Sequence, residues 1–188
     1  YFEVDTNICA HGRSGQIGCT RCLDTCPAQA IISLGESIDV DPHLCQGAGV
    51  CATVCPTGAI RYAYPNAADN LHHVRRLLER YRHEGGQNPV LGFIAVADYE
   101  KINQWPDRFL PVVVEELASV GMDVWLGAIA SGAAIVLIDA GSVPEGVNDA
   151  VQEQLLFARS LLAGMHYDTH VIQYLAIGEP LGNGLQSL

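Results

Sequence analysis

The sequence predicts a small, cysteine-rich α+β domain followed by an α/β domain built on a parallel sheet. Three observations support this. All seven cysteines lie within residues 9–55. The same stretch contains an internal repeat. From about residue 89 onward, continuous apolar strands alternate with helical segments, as in parallel sheets covered by helices. We therefore expect domains at residues 1–65 and 89–188, connected by a helix within residues 66–88.

The composition supports globular domains and argues against several functional classes. The chain has 188 residues, of which 49% are hydrophobic, and this argues against disorder. A net charge of −11 argues against nucleic-acid binding, which requires clustered Lys and Arg. The longest nearly uncharged stretch, residues 124–138, is shorter than the roughly 20 apolar residues of a membrane-spanning helix. No signal peptide precedes the first motif, and we expect a cytoplasmic protein without a membrane span.

The cysteine-rich part contains a tandem duplication. Residues 2–9 (FEVDTNIC) align with residues 38–45 (IDVDPHLC), and residues 22–31 (CLDTCPAQAI) align with residues 51–60 (CATVCPTGAI). Each copy predicts a short strand, a cysteine-bearing loop, a short helix and an apolar strand. An odd number of closely spaced cysteines with two Cys-Pro steps is a poor disulfide framework. It is a good framework for metal ligands.

These motifs resemble the bacterial dicluster ferredoxins, whose half-motif is C-x2-C-x2-C-x3-C-P. In that family three thiolates of one half hold one iron–sulfur cluster, and the cysteine before proline binds the other cluster. The resemblance covers about residues 1–65 and implies one 4Fe–4S cluster on Cys9, Cys19, Cys22 and Cys55. It implies a second cluster on Cys26, Cys45 and Cys51. The glycine-rich insert between Cys9 and Cys19 is expected to loop out and return Cys9 to its ligand position.

The second copy lacks one cysteine, because Ala48 stands where the first copy has Cys19. The run CQGAGVC resembles the C-x2-A-x2-C loop of 3Fe–4S ferredoxins. Three thiolates satisfy three irons, so we expect a 3Fe–4S cluster here. The alternative is a 4Fe–4S cluster whose open iron binds water or an exogenous ligand. A structural zinc site is a weaker alternative, since Cys-Pro repeats are not the zinc-ribbon pattern.

Residues 66–84 predict an amphipathic helix, with apolar side chains at three- and four-residue spacing and a Gly-Gly stop. We expect its histidines at the surface without metal. Its basic face is either solvated and salt-bridged or a docking patch for an acidic redox partner. The residues of that face are Arg75, Arg76, Arg80 and Arg82.

The last hundred residues predict a three-layer, flavodoxin-like sheet. The strands are expected at residues 90–97, 109–114, 134–138 and 170–177, with helices at 121–132 and 145–165. Pro111 places the second of these strands near an edge. Residues 109–141 resemble the hydrogenase delta-subunit domain associated with heterodisulfide reductase, without that family's ligand cysteines at the strand ends. Ligands of parallel sheets bind beyond these ends, and the candidates are Asp98, Asp139 and Ser142, with turn and helix-cap roles as the alternative.

The functional hypothesis is one-electron transfer through two adjacent clusters within a larger oxidoreductase system. The chain is expected to be an electron carrier or electron-transfer subunit, with no catalytic acid or base. One alternative is a docking module that holds the cysteine-rich domain against a catalytic subunit, which the start at Tyr1 rather than Met favours. Another is an enzyme that binds substrate at an open iron near Ala48.

Overall fold

A computed structural model describes residues 2–13 and 15–176 and shows the duplicated motif as two interlocked copies. The first copy forms β1 (Phe2–Val4), α1 (Arg21–Thr25) and β2 (Ile31–Ser33). The second forms β3 (Ile38–Val40), α2 (Val50–Thr53) and β4 (Ile60–Tyr62). β1 pairs antiparallel with β4, and β2 pairs antiparallel with β3. The first strand of the repeat therefore pairs with its last, and we call residues 2–62 the cysteine half.

The connecting segment forms the predicted helix, α3 (Ala67–His83). A reciprocal cap begins it: the Asp69 amide donates to Asn66 Oδ1 at 3.0 Å, and the Asn66 amide donates to Asp69 Oδ2 at 3.2 Å. Val74 and Leu78 on its apolar face are fully buried. The helix ends where the chain turns through Gly85, whose φ is +87°.

The remaining strands form a parallel four-stranded sheet, as predicted. In chain order they are β5 (Val90–Ala95), β6 (Phe109–Val114), β7 (Ile135–Asp139) and β8 (Ile172–Leu175). Their spatial order is β6-β5-β7-β8, so β6 with its proline lies at an edge. The helices are α4 (Met122–Ala130) and α5 (Glu145–Gly164). Residue 177, predicted as the end of the last strand, lies outside the described residues.

The sequence predicts helices on both faces of the sheet, whereas in the structure the α-helices pack on one face. Alternate strand residues such as Leu91 and Phe93 pack with α3, α4 and α5 in one large core. The opposite face packs against Trp105, which follows a 3₁₀ helix at Val96–Gln104. Gly92 leaves room for this ring, because a Cβ atom there would lie 2.3 Å from the indole. The strand predicted to reach residue 97 ends at Ala95, because the 3₁₀ helix begins at Val96.

Helix α2 fixes the cysteine half to the rest of the chain, and we call residues 90–175 the sheet half. Cys51 packs on the interior of the cysteine half, whereas Val50 and Val54 belong to the large core of the sheet half. The Thr53 hydroxyl donates to the carbonyl of Ala118. One short helix thus serves both interiors. Within the described ranges, no helix combines the length and apolar composition needed to cross a membrane.

Candidate metal centre

Four cysteines from separate segments line one cavity in the cysteine half. They are Cys9 after β1, Cys19 before α1, Cys22 within α1 and Cys55 after α2. Burial raises the pKa of Cys22 to about 11, and the neighbouring thiols of Cys55, Cys19 and Cys9 add to the shift. The four sulfur atoms therefore interact electrostatically. Thiolates gathered in this way require a positively charged partner.

Three cysteines line a second cavity, together with Ala48. Burial is the largest cause that raises the pKa of Cys51 to about 12, and the thiols of Cys26 and Cys45 contribute in the same direction. The Ala30 amide donates to Cys26 Sγ at 3.4 Å. The residue that replaces the missing cysteine is thus part of the cavity wall, where its methyl group offers no ligand.

Cys55 has a different environment from the other thiols. Burial acts to raise its pKa, but hydrogen bonds from the backbone amides of Ile60, Thr57 and Ala59 and from the Thr57 hydroxyl outweigh burial, and the pKa is lowered. Amide hydrogen bonds to ligand sulfur are one means by which proteins set cluster potentials. The Cys-Pro motif predicts a turn here, but it does not show which amides meet the sulfur.

His11, which the sequence analysis did not single out, organises the insert between the first two cysteines. Its side chain is 1% exposed. Its Nδ1 lies 2.8 Å from the Cys19 carbonyl oxygen, and its Nε2 lies 2.7 Å from Ser33 Oγ. Because a carbonyl only accepts, Nδ1–H donates to it. The Gly18 amide donates to the His11 carbonyl at 2.7 Å, which closes the loop. A single histidine among glycines carries no periodic signal by which it could have been found.

The donor set fits an iron–sulfur cluster better than a single ion. Among the described residues, no group of three or more His, Cys, Asp or Glu side chains has the geometry to hold one metal ion. A single zinc ion draws its thiolates to about 2.3 Å from one point. In an iron–sulfur cluster the thiolates are distributed over several irons, so they surround a cavity. Cysteines spread around the walls of the two cavities are suited to the second arrangement.

The predicted candidates Asp98, Asp139 and Ser142 lie close together at the carboxyl ends of β5 and β7. The backbone amide and the hydroxyl of Ser142 donate to Asp98 Oδ2 at 2.8 and 3.0 Å. Lys101, which was not predicted, lies with its Nζ 3.3 Å from Asp98 Oδ1 and 3.5 Å from Asp139 Oδ1. Burial raises the pKa of Asp139. These contacts are turn and ion-pair interactions that tie the edge together.

The four arginines of α3 differ in their contacts. Arg80 pairs with Glu84 at 2.9 Å, and Arg82 donates to the Ser131 carbonyl at 2.6 Å. Arg75 and Arg76 are exposed. The salt-bridged role therefore applies to Arg80, whereas Arg82 is held by a backbone carbonyl.

The duplicated fold and its two thiol-lined cavities define the class of an iron–sulfur electron-transfer domain. Residues 17–59 match the family described as the 4Fe-4S dicluster domain, which confirms the resemblance in the cysteine half. Six of the seven cysteines fall in this range, and Cys9 precedes it. The resemblance of the sheet half to the hydrogenase delta-subunit domain stays a prediction.

Two curated relatives match short segments of the chain. Indolepyruvate oxidoreductase subunit IorA of Archaeoglobus fulgidus is 42% identical over 48 residues, which are 26% of this chain. Hydrogenase-4 component A of Escherichia coli K12 is 46% identical over 39 residues, or 21% of this chain. The matched segments cover 8% and 19% of these relatives' own lengths. The similarity therefore covers a segment of this chain and of each relative, and not a whole protein.

Proposed function

We propose that the protein relays single electrons through two iron–sulfur clusters as a subunit or segment of a larger oxidoreductase. The observation that carries this proposal is the division of the cysteines between a four-thiol cavity and a three-thiol cavity. The thiol of Cys22 in the first cavity also acts on the pKa of Cys51 in the second. Two cavities this close suit electron transfer between their contents. The two relatives are an oxidoreductase subunit and a hydrogenase component, which supports a place for this chain in a larger oxidoreductase.

In this proposal Cys9, Cys19, Cys22 and Cys55 hold a 4Fe–4S cluster. The other three cysteines hold a 3Fe–4S cluster, or a 4Fe–4S cluster with one open iron. When bound, such clusters accept and release one electron at a time. Cys22 and Cys51 are at most 8% exposed, so the chain keeps water from one ligand sulfur in each cavity. The amides around Cys55 stabilise negative charge at one centre. Four thiolates against three give the centres different charge, which favours a stepped pair of potentials.

The proposal extends to the surroundings of the iron–sulfur domain. We also propose that residues 1–65 form the iron–sulfur domain and that a helix connects it to a flavodoxin-like domain at residues 89–188. The proposed location is the cytoplasm. An acidic redox partner would dock on α3, where Arg75 and Arg76 are exposed. The role of the sheet half in this arrangement is to present the cysteine half, since the two share α2.

Electron paramagnetic resonance on anaerobically purified protein tests the assignment of Ala48. A near-isotropic signal in the oxidised protein that vanishes on reduction is expected from a 3Fe–4S cluster beside a 4Fe–4S cluster. Ala48→Cys should abolish that signal and add a second reduced 4Fe–4S signal, because a thiolate then lines the fourth corner. The matched control is Ala63→Cys, which adds a thiol outside both cavities.

Two outcomes would contradict parts of this proposal. An oxidised wild-type sample without signal, with two interacting signals on reduction, would replace the 3Fe–4S cluster by a 4Fe–4S cluster. The open iron beside Ala48 would then be the place to look for a ligand or substrate. An unchanged spectrum in Ala48→Cys would show that position 48 does not face the second cluster.

A further inference from the structure

A cleft of about 320 Å³ lies between the cysteine half and the sheet half. Residues of α2, β4 and the starts of α3 and α4 line it, together with Gln154 of α5. Cys55 and Ile60 line both this cleft and the four-thiol cavity, so a single wall of side chains separates the two. Small-molecule sites often occupy clefts of this size at junctions between domains. The electron relay proposed above makes no use of it.

Gln154 is the polar residue that marks this cleft as a binding site. It is 7% exposed and lines the cleft, and its side-chain amide makes no hydrogen bond within the described residues. The hydroxyl groups on the same wall are committed elsewhere: Thr53 donates to Ala118, and Ser119 donates to Glu116. The side chain is buried along most of its length, while its amide opens onto the cleft and is not among the fully enclosed unpaired polar atoms of the described residues. An amide held in this way is available to a hydrogen-bonding group from outside the chain.

Further hydrogen-bond donors lie along the lining. Helix α4 begins at Gly121 without a side-chain cap; the amides of Val124 and Trp125 donate to the Gly121 carbonyl, and the start of the helix, with the positive end of its dipole, lies at the cleft wall. Arg61 is exposed on β4 and forms no ion pair within the described part of the chain. Among the described lining residues, Asp123 carries the one carboxylate. An excess of donors favours a ligand rich in acceptors.

We propose that this cleft binds a small molecule bearing an oxyanion, a carboxylate or a phosphate, between Gln154, Arg61 and the first turn of α4. The apolar wall of Ile60 and Val124 would contact the body of the molecule. A second part of this inference rests on the electron relay proposed above: binding of the anion is coupled to the redox state of the four-thiol centre. An anion next to Cys55 opposes the added negative charge of reduction.

This coupling is reciprocal and therefore measurable from either side. If the anion lowers the reduction potential, the oxidised protein must bind the anion more tightly by the corresponding factor. A tenfold difference in affinity between the two redox states corresponds to about 59 mV in a one-electron potential. The expected direction is a lower potential at saturating ligand.

Calorimetric titration of the anaerobic, cluster-loaded protein tests the site, with inorganic phosphate and benzoate as probes. We expect binding to the wild type and at least about tenfold weaker binding to Gln154→Leu, which removes the amide with little change in volume. Gln152→Leu is the matched control, since Gln152 is exposed on the same helix and outside the cleft. Asp123→Asn should tighten binding severalfold, because it removes a repelling charge.

The outcomes separate this inference from the proposed function. Tighter binding of benzoate identifies a carboxylate ligand, and tighter binding of phosphate identifies a phosphate ligand; either supports the site. Absence of binding by both probes, or equal affinity in wild type and Gln154→Leu, overturns it. Repeating the titration on electrochemically reduced protein tests the coupling, which equal affinities would refute. The resonance spectra of the same samples report on the clusters independently, so a failed relay and an absent site cannot be confused.

Discussion

Replacing Gly49 by alanine tests how the cysteine half is attached to the sheet half. Gly49 has a φ of +76°, and a Cβ atom there would lie 2.5 Å from Ser119 Cα. Gly47, two residues earlier, has a φ of +77°, but its Cβ would meet only the Tyr62 hydroxyl at 4.0 Å. Both substitutions force alanine into the left-handed region, at a cost of roughly 1–2 kcal/mol. Gly49→Ala alone adds a clash with backbone, for which overpacking costs are typically about 1–3 kcal/mol.

The two variants should therefore differ by about 1–3 kcal/mol in free energy of unfolding. For a chain of 188 residues, each kcal/mol corresponds to a change in Tm of about 2–4 °C. Gly49→Ala should then melt about 2–12 °C below Gly47→Ala. Near-UV circular dichroism under anaerobic conditions is the assay, because Trp105 and Trp125 both lie in the sheet half. Equal melting temperatures in the two variants would refute the close contact between the halves at Gly49.

Two further variants test separate parts of the structure. His11→Ala removes the hydrogen bonds to Cys19 and Ser33, about 1–3 kcal/mol together, and should speed the release of iron to a chelator; an unchanged rate would show that His11 does not hold the insert. Asp139→Asn should raise the Tm at pH 7. Burial raises the pKa of Asp139, so its contribution to stability is full below the ordinary value of 3.8 and is lost as the pH rises through the higher folded-state pKa. The advantage of the variant should shrink as the pH is lowered toward that pKa, and a pH-independent difference would show that ionisation of Asp139 is not its cause.

Much of the local structure follows from the sequence because its causes are local. The apolar spacing of residues 66–84 and the Gly-Gly stop predict a helix within one residue of each observed end of α3. Pro111 predicts an edge strand because it lacks the amide that a central strand needs, and β6 is an edge strand. The predicted strand at residues 90–97 is two residues too long, since a 3₁₀ helix begins at Val96. The packing of Trp105 on Gly92 is a tertiary contact and produces no periodic pattern in the sequence.

The sequence by itself determines the class of this protein, since cysteine spacing, the Cys-Pro steps and the duplication are written in consecutive residues. It also points to Ala48 as the unusual position of the second copy. Only the tertiary structure decides that α2 serves two interiors, that His11 closes the insert, and that Gln154 faces a cleft beside Cys55. Each of these depends on groups far apart in the chain. Their hydrogen bonds and burial arise when the segments pack, and no spacing of neighbouring residues encodes them.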